Sequence, residues 1–176
     1  MKPVPLAGFR IGHSQARGIA EALWGKGGTN SERCNRPGAF YFSCSGHGGY
    51  VVDASILTEQ ERAKIEEVRS PEPVKILVQG NRVIGVSNPF TGSRSFRYNS
   101  AFGTPEWRDH PVFLFEEDCD WSILEHLTDI RSAWSLKKQR EDPEKHSEEV
   151  SRMFEQVLEY KRQREERAKV DAIPQT

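Results

Sequence analysis

The chain has 176 residues, of which 36% are hydrophobic and 29% charged, and its 25 basic and 26 acidic side chains give a net charge of −1. This length fits one domain with a core that needs no disulfide or metal. The net charge is near zero, whereas typical nucleic-acid-binding domains are strongly basic. Three cysteines without a C-x-x-C pair argue against a secreted disulfide scaffold. With no signal-peptide pattern and no apolar run long enough for a membrane, the sequence predicts a reduced, soluble cytoplasmic protein.

The amino-terminal part of the sequence predicts little regular structure. Residues 1–12 contain prolines and glycines and are predicted to form a loosely held arm. A short helix over Gln15–Leu23 is predicted to begin at Ser14, which serves as its N-cap. Residues 24–38 are rich in Gly, Asn and Ser, a composition typical of an irregular loop.

The central part of the sequence predicts strands joined by tight turns. The apolar and β-branched runs are Ala39–Cys44, Tyr50–Asp53, Val74–Gln79, Arg82–Val86, Arg94–Tyr98 and Val112–Glu116. Gly80-Asn81 separates two of these runs and predicts a type II′ hairpin, because glycine accepts the positive φ of its first position. The wholly apolar start of the Val112–Glu116 run favours a central strand, and residues 99–111 before it are predicted to form a loop.

Three helices are predicted after the first strands. Thr58 and Glu61 form a capping box, which opens a helix that ends at Val68. A second helix is predicted over residues 118–138, with Asp118 as its N-cap. A last helix is predicted over residues 143–169, with a proline in its first turn.

The resulting fold class is α+β: an antiparallel sheet of about five strands, helices packed on one face, and a long C-terminal helix. Residues 1–138 are predicted to form the single domain, and residues 139–176 a charged helix and tail. Ten basic and nine acidic residues alternate between Lys137 and Lys169, which favours an exposed helix with i,i+4 pairs. The apolar stripe of this helix is expected to pack on its own domain, and the alternative is that it associates with a second copy, as a homodimer, or with a partner. Its members are Val150, Met153, Phe154, Val157 and Leu158.

Two segments carry groups that could do chemistry. Three glycines surround His47 in the predicted Ser45–Gly49 turn, where backbone N–H groups can cradle an anion and the imidazole can act as an acid or base. In the second segment, Glu116–Trp121 at a predicted strand-to-helix junction, the helix dipole is expected to lower the pKa of Cys119 while four neighbouring acids raise it. If the segments meet, His47 can pair with Cys119 or with Glu117 in a catalytic centre. If they do not, the glycines form a hairpin turn and the acids satisfy a helix start.

The same segments carry a resemblance to a known family. Trp24-Gly25, the Ser45–Tyr50 turn with Gly48 and Gly49, and the Glu116–Trp121 segment together resemble uncharacterised domains of plasmids, integrative elements and phages. Such domains also occur as parts of large polyvalent mobile-element proteins. The similarity covers about residues 20–130, and the hairpin within 71–105 departs from the family pattern. The resemblance implies a genomic setting and carries no reaction with it.

Basic residues are concentrated near the amino terminus and offer a second candidate site. Six basic residues stand against two acids in the first 36 positions, and Lys26, Arg33 and Arg36 lie in the predicted loop beside Trp24. This loop is a candidate for weak nucleic-acid contact, although a solvated loop is the preferred explanation. Lys26-Gly-Gly-Thr lacks the full phosphate-loop motif, and no cofactor or metal site is predicted.

The sequence therefore leaves three functions open. We expect a non-enzymatic interaction protein of a mobile element or phage that binds and inhibits a host defence component. The first alternative is a small hydrolase or transferase that uses His47 with Cys119 or Glu117. The second is a weak nucleic-acid binder that uses the basic loop.

Overall fold

A computed structural model describes residues 5–24, 30–44, 47–80, 82–87, 94–96, 103–118 and 120–171. The described helices are α1 (His13–Trp24), α2 (Glu59–Val68), α3 (Trp121–Leu127), α4 (Ala133–Glu141) and α5 (Pro143–Asp171), with a 3₁₀-helix at Ala54–Ile56. The described strands are β1 (Asn30–Arg33), β2 (Ala39–Cys44), β3 (His47–Asp53), β4 (Glu72–Gln79), β5 (Arg82–Ser87), β6 (Arg94–Phe96) and β7 (Glu106–Glu116).

All of these strands belong to one antiparallel sheet in the order β1-β2-β3-β7-β4-β5-β6. The predicted α+β class, the antiparallel sheet and the long C-terminal helix are confirmed, with seven strands in the described residues where about five were expected. The apolar run Val112–Glu116 lies in the middle of the sheet, as predicted, because β7 pairs with both β3 and β4.

Strand alternation divides the core into two layers. On β7, Val112 and Leu114 face a cluster that contains α1, whereas Phe113 and Phe115 face a cluster that contains the later helices. The expected packing of helices on one face holds for those later helices, and α1 covers the opposite face. We call these two sides the α1 face and the helical face.

The amino-terminal segment is held more firmly than the sequence predicted. Leu6 and Phe9 pack against the core and Ile11 is buried within it. The Ile11 N–H donates to Asp53 Oδ2 at 2.6 Å, and Asp53 Oδ1 lies 2.7 Å from His110 Nε2. Because this buried acid accepts a hydrogen bond from the segment, the prediction of a loosely held arm is wrong for residues 5–12.

Two predicted loops contain strands. The first, over residues 24–38, includes β1, which pairs with β2 from Asn30 to Arg33. The second, over residues 99–111, includes the start of β7, which pairs with β4. Pro111 is tolerated there because it lies opposite Pro73, so the two positions without an N–H coincide. Both predictions failed because pairing with a distant strand outweighed local composition.

The predicted helix over residues 118–138 is two helices. The first ends at its C-cap Thr128, whose backbone is extended and whose hydroxyl donates to the Leu124 carbonyl at 2.8 Å, and Ser132 then caps α4. Asp120, and not Asp118, is the residue before α3, and its side chain makes no cap hydrogen bond. Similarly, α1 begins at His13, so Ser14 is not its N-cap.

Local signals located the other helices well. The Thr58–Glu61 capping box opens α2 as predicted. The last helix begins at Pro143, and Val150 and Val157 of its stripe are buried against α3 and α4. Farther along α5, the Lys161 ammonium donates to the Glu67 carbonyl oxygen. Val150 and Val157 of the stripe are therefore covered within the chain, whereas Leu158 is 40% exposed, and the predicted domain boundary at residue 138 falls inside α4.

No helix in the described part of the chain combines the length and apolarity that crossing a bilayer requires.

Candidate functional site

The structure brings the two predicted reactive segments together. His47, Gly48 and Gly49 belong to β3 and not to a turn, and Gly49 lies opposite Glu116 of β7. The Glu117 N–H donates to the Gly48 carbonyl oxygen at 2.9 Å. The predicted Cys119 lies outside the described residues, so its pairing with His47 stays a prediction.

The glycines beside His47 have a packing role. A Cβ atom at Gly48 would lie 2.6 Å from the Phe42 carbonyl oxygen and 2.7 Å from Glu117 Oε2. A Cβ at Gly49, whose φ is +153°, would lie 2.9 Å from the carbonyl carbon of Phe115. These glycines therefore allow β2, β3, β7 and the Glu117 carboxylate to approach closely. Their predicted use in binding an anion stays a prediction.

His47 and Glu117 belong to opposite sides of the sheet. His47 is exposed, and alternation from Val51 directs its side chain toward the α1 face. Glu117 lines a cavity on the helical face. The structure thus joins the two segments through their backbones without directing the two side chains at one another.

The predicted basic loop is partly engaged in internal contacts. The Arg36 guanidinium donates to both Glu61 oxygens, at 2.9 and 3.0 Å, and also pairs with Asp129. These contacts raise the pKa of Arg36, chiefly through its hydrogen bond with Glu61. Arg33 is exposed on the edge strand β1. Arg36 is therefore a structural residue here, which weakens the case for phosphate binding at this place.

The remaining residues of this loop contribute little to a site. Trp24 packs against the core of the α1 face, and its carbonyl accepts a hydrogen bond from Cys44 Sγ at 3.2 Å. Lys26 lies outside the described residues. The binding role predicted for both stays a prediction.

A cavity of about 400 Å³ lies on the helical face, beside β2 and β3 and below α3, α4 and α5. We call it the Glu117 cavity. Its aromatic lining consists of Tyr41, Tyr50, Trp121 and Trp134, and its acidic lining of Glu117, Asp118, Glu125 and Glu149, with Ser132 and Met153 between them. Trp134 is 50% exposed, so it forms part of the cavity mouth. This volume is within the usual range for ligand pockets.

Acidic side chains surround the two tyrosines of the Glu117 cavity. Burial, together with the charges of Glu117, Glu32 and Glu125, raises the pKa of Tyr41 to about 12. Burial and the charge of Glu125 likewise raise the pKa of Tyr50. Both phenols therefore stay protonated at neutral pH, and neither is an activated nucleophile.

A buried polar network forms the floor of the cavity around Glu125. The Tyr50 hydroxyl donates to Glu125 Oε1 at 2.5 Å, and the Ser135 hydroxyl donates to Glu125 Oε2 at 2.6 Å. Arg131 Nε and His146 Nε2 lie 3.4 and 3.3 Å from the same oxygen. Since a buried carboxylate needs such partners, this network is sufficiently explained as support for Glu125.

Ser135, His146 and Glu125 superficially resemble a catalytic triad. Ser135 Oγ lies 3.2 Å from His146 Nε2. In a working triad, however, the carboxylate holds the imidazole nitrogen that does not face the nucleophile. Here Glu125 lies against that same Nε2, and Nδ1 of His146 is buried without a hydrogen-bond partner among the described residues. The geometry therefore does not activate Ser135.

A second cavity, of about 710 Å³, is lined by residues 5–10, the 3₁₀-helix and the first turns of α2. Its charged lining is of mixed sign, from Arg10, Glu59 and Arg62. The Glu117 cavity differs from it in having a single sign of charge and an aromatic wall, so we treat the Glu117 cavity as the candidate site.

Sequence reasoning identified Glu117 but missed the rest of the cavity. Tyr41, Tyr50, Glu125 and Met153 come from four separate elements, and no local pattern connects them. No protein-family model, curated protein or solved structure matches the chain. The resemblance to mobile-element domains therefore stays a prediction from the motifs.

Proposed function

We propose that this chain is a non-enzymatic binding protein that engages a partner protein through the mouth of the Glu117 cavity. One observation carries the proposal: a half-exposed tryptophan, Trp134, stands at the edge of a cavity lined by further aromatic rings. Exposed aromatic side chains beside a pocket are typical anchors of protein interfaces.

The described thiols and the Ser135 hydroxyl give no support to an enzyme. Burial raises the pKa of the Cys34 thiol, and Cys44 Sγ is held by the Trp24 carbonyl. The Ser135 hydroxyl donates to Glu125 Oε2, and the imidazole nitrogen beside it, His146 Nε2 at 3.2 Å, lies against the same carboxylate oxygen. An activated serine needs an imidazole that a carboxylate orients through its other nitrogen, whereas Nδ1 of His146 has no hydrogen-bond partner among the described residues.

The motif resemblance supports a mobile element or phage as the source of the protein, and we propose a host defence component as its partner. We place the protein in the cytoplasm, where its free cysteines Cys34 and Cys44 stay reduced. Val150 and Val157 of the α5 stripe are buried within the chain, so we expect the partner on the cavity side and not along that stripe.

The experiment is capture of partners from the native host with the purified chain and two matched variants. Trp134→Glu places a charge at the cavity mouth, and Tyr160→Glu makes the same change at an aromatic residue that is 64% exposed on α5. We expect the partner to be lost with Trp134→Glu and retained with Tyr160→Glu, while both variants melt like the parent. Loss with Tyr160→Glu alone would move the interface to α5 and contradict the proposal.

A further inference from the structure

The charges around the Glu117 cavity are incompletely balanced. Glu149 pairs with Lys138 at 3.2 Å, and Glu125 lies against Arg131 in the buried network. No hydrogen bond or ion pair with another described residue is found for the side chains of Glu117 or Asp118, which also line the cavity. A ligand that enters here meets uncompensated negative charge.

The aromatic wall is suited to the same kind of ligand. The rings of Tyr41 and Tyr50 meet edge to face, with their centroids 5.0 Å apart, beside Glu117. Aromatic faces attract cations through their quadrupole, and this attraction strengthens where water is excluded. A cation in the cavity would therefore gain from the rings as well as from the carboxylates.

The mouth of the cavity already shows this mode of recognition within the chain. The Lys138 ammonium lies 4.0 Å from the centroid of the Trp134 ring and 3.2 Å from Glu149. An alkylammonium group is thus held between an aromatic ring and a carboxylate, both of which line the cavity. The inner part of the cavity repeats that pair of chemical groups with Tyr41 and Glu117, where no described lysine or arginine side chain contributes to the lining.

A metal ion fits the site less well. No group of three or more His, Cys, Asp or Glu side chains converges in the described part of the chain as metal ligands would. The cavity volume of about 400 Å³ is also that of an organic group.

We infer that the Glu117 cavity receives an alkylammonium group, the end of a lysine side chain of the partner, between the tyrosine rings and the Glu117 carboxylate. This inference rests on the proposed partner-binding function and specifies its chemistry. Glu117 supplies the charge, and Gly48 supplies the space that lets this carboxylate lie against β3. Lys138 competes for the outer part of the same site.

The test is a titration of the full chain with Nα-acetyl-lysine methylamide, observed through the indole N–H signals of Trp121 and Trp134. The control ligand is the norleucine analogue, which has the same alkyl chain without the charge. We expect millimolar binding of the lysine probe and at least tenfold weaker binding of the norleucine probe. Equal binding of the two probes, or no shift of either indole with the lysine probe, would overturn the inference.

Matched variants locate the binding group. Glu117→Gln should weaken the lysine probe about tenfold, whereas Glu116→Gln, the same change at the exposed neighbouring residue, should leave it unaltered. Lys138→Met should strengthen binding, because it removes the internal competitor. Equal losses with Glu117→Gln and Glu116→Gln would show a general charge effect and refute the site.

These outcomes are separate from those of partner capture. If the lysine probe fails while Trp134→Glu still abolishes capture, the partner-binding function stands and the ammonium inference falls. If the probe binds but capture does not depend on Trp134, the cation site stands and the proposed interface falls.

Discussion

The substitution Gly49→Ala tests whether the glycines beside His47 serve close strand packing. The added Cβ would lie 2.9 Å from the carbonyl carbon of Phe115 and 3.0 Å from the Cα of Glu116, and closer still to the Phe115 carbonyl oxygen. Relieving such overlap costs about 1–3 kcal/mol, and the positive φ adds roughly 1–2 kcal/mol for an L-residue. We therefore expect a loss of about 2–5 kcal/mol, a large part of the stability of an ordinary domain.

The matched control is Gly18→Ala, the same chemical change within α1. There the new Cβ would meet only Val86 Cγ1, at 4.0 Å, so the better helix propensity of alanine should stabilise the chain by about 0.5–1 kcal/mol. Urea unfolding followed by circular dichroism measures both variants. If Gly49→Ala unfolds within about 0.5 kcal/mol of the parent, the close approach of β3 and β7 described above is refuted.

Three further predictions concern stability. Val157→Ala should lower the free energy of unfolding by about 1–3 kcal/mol, because this side chain is 8% exposed. Leu158→Ala, at a side chain that is 40% exposed, should lower it by under half as much in the same urea assay. Equal losses would contradict the packing of α5. Burial alone would raise the pKa of Asp53, but its hydrogen bonds, first that with His110, lower the pKa overall. The stabilisation that this carboxylate provides is therefore present above its unfolded pKa and is lost as the pH falls through its lower folded pKa. Asp53→Asn should therefore lower the free energy of unfolding at pH 7 and flatten its decline below about pH 4. A variant whose stability declines below about pH 4 as steeply as that of the parent would contradict this. Truncation after Gln163 should leave the melting temperature unchanged, since the described side chains beyond it are exposed, and a drop of several degrees would show that the end of α5 packs against the domain.

Elements with local signals could be predicted from the sequence. The capping box of Thr58 and Glu61, the hairpin at Gly80 with its φ of +57°, and the long helix from Pro143 each depend on neighbouring residues. The central position of Val112–Glu116 also follows from its own apolar run, because only a buried strand can place both faces in a core.

Elements that depend on distant partners could not be predicted. The polar segment Asn30–Arg33 is a strand only because β2 offers it an edge, and residues 106–111 are a strand only because β4 lies beside them. The hydrogen bond from the Ile11 N–H to Asp53 likewise joins residues 42 positions apart. The candidate site shares this property, since its carboxylates and rings come from both the sheet and the later helices.

The most direct test of the central claim is site-specific photocross-linking in the native host. Benzoylphenylalanine replaces Trp134 at the mouth of the Glu117 cavity in one variant and Tyr160 on α5 in the other, so both probes substitute an exposed aromatic residue. If the cavity mouth is the interface, irradiation should join the partner to the probe at position 134 and leave the probe at 160 uncoupled. Cross-linking from position 160 alone would contradict the account.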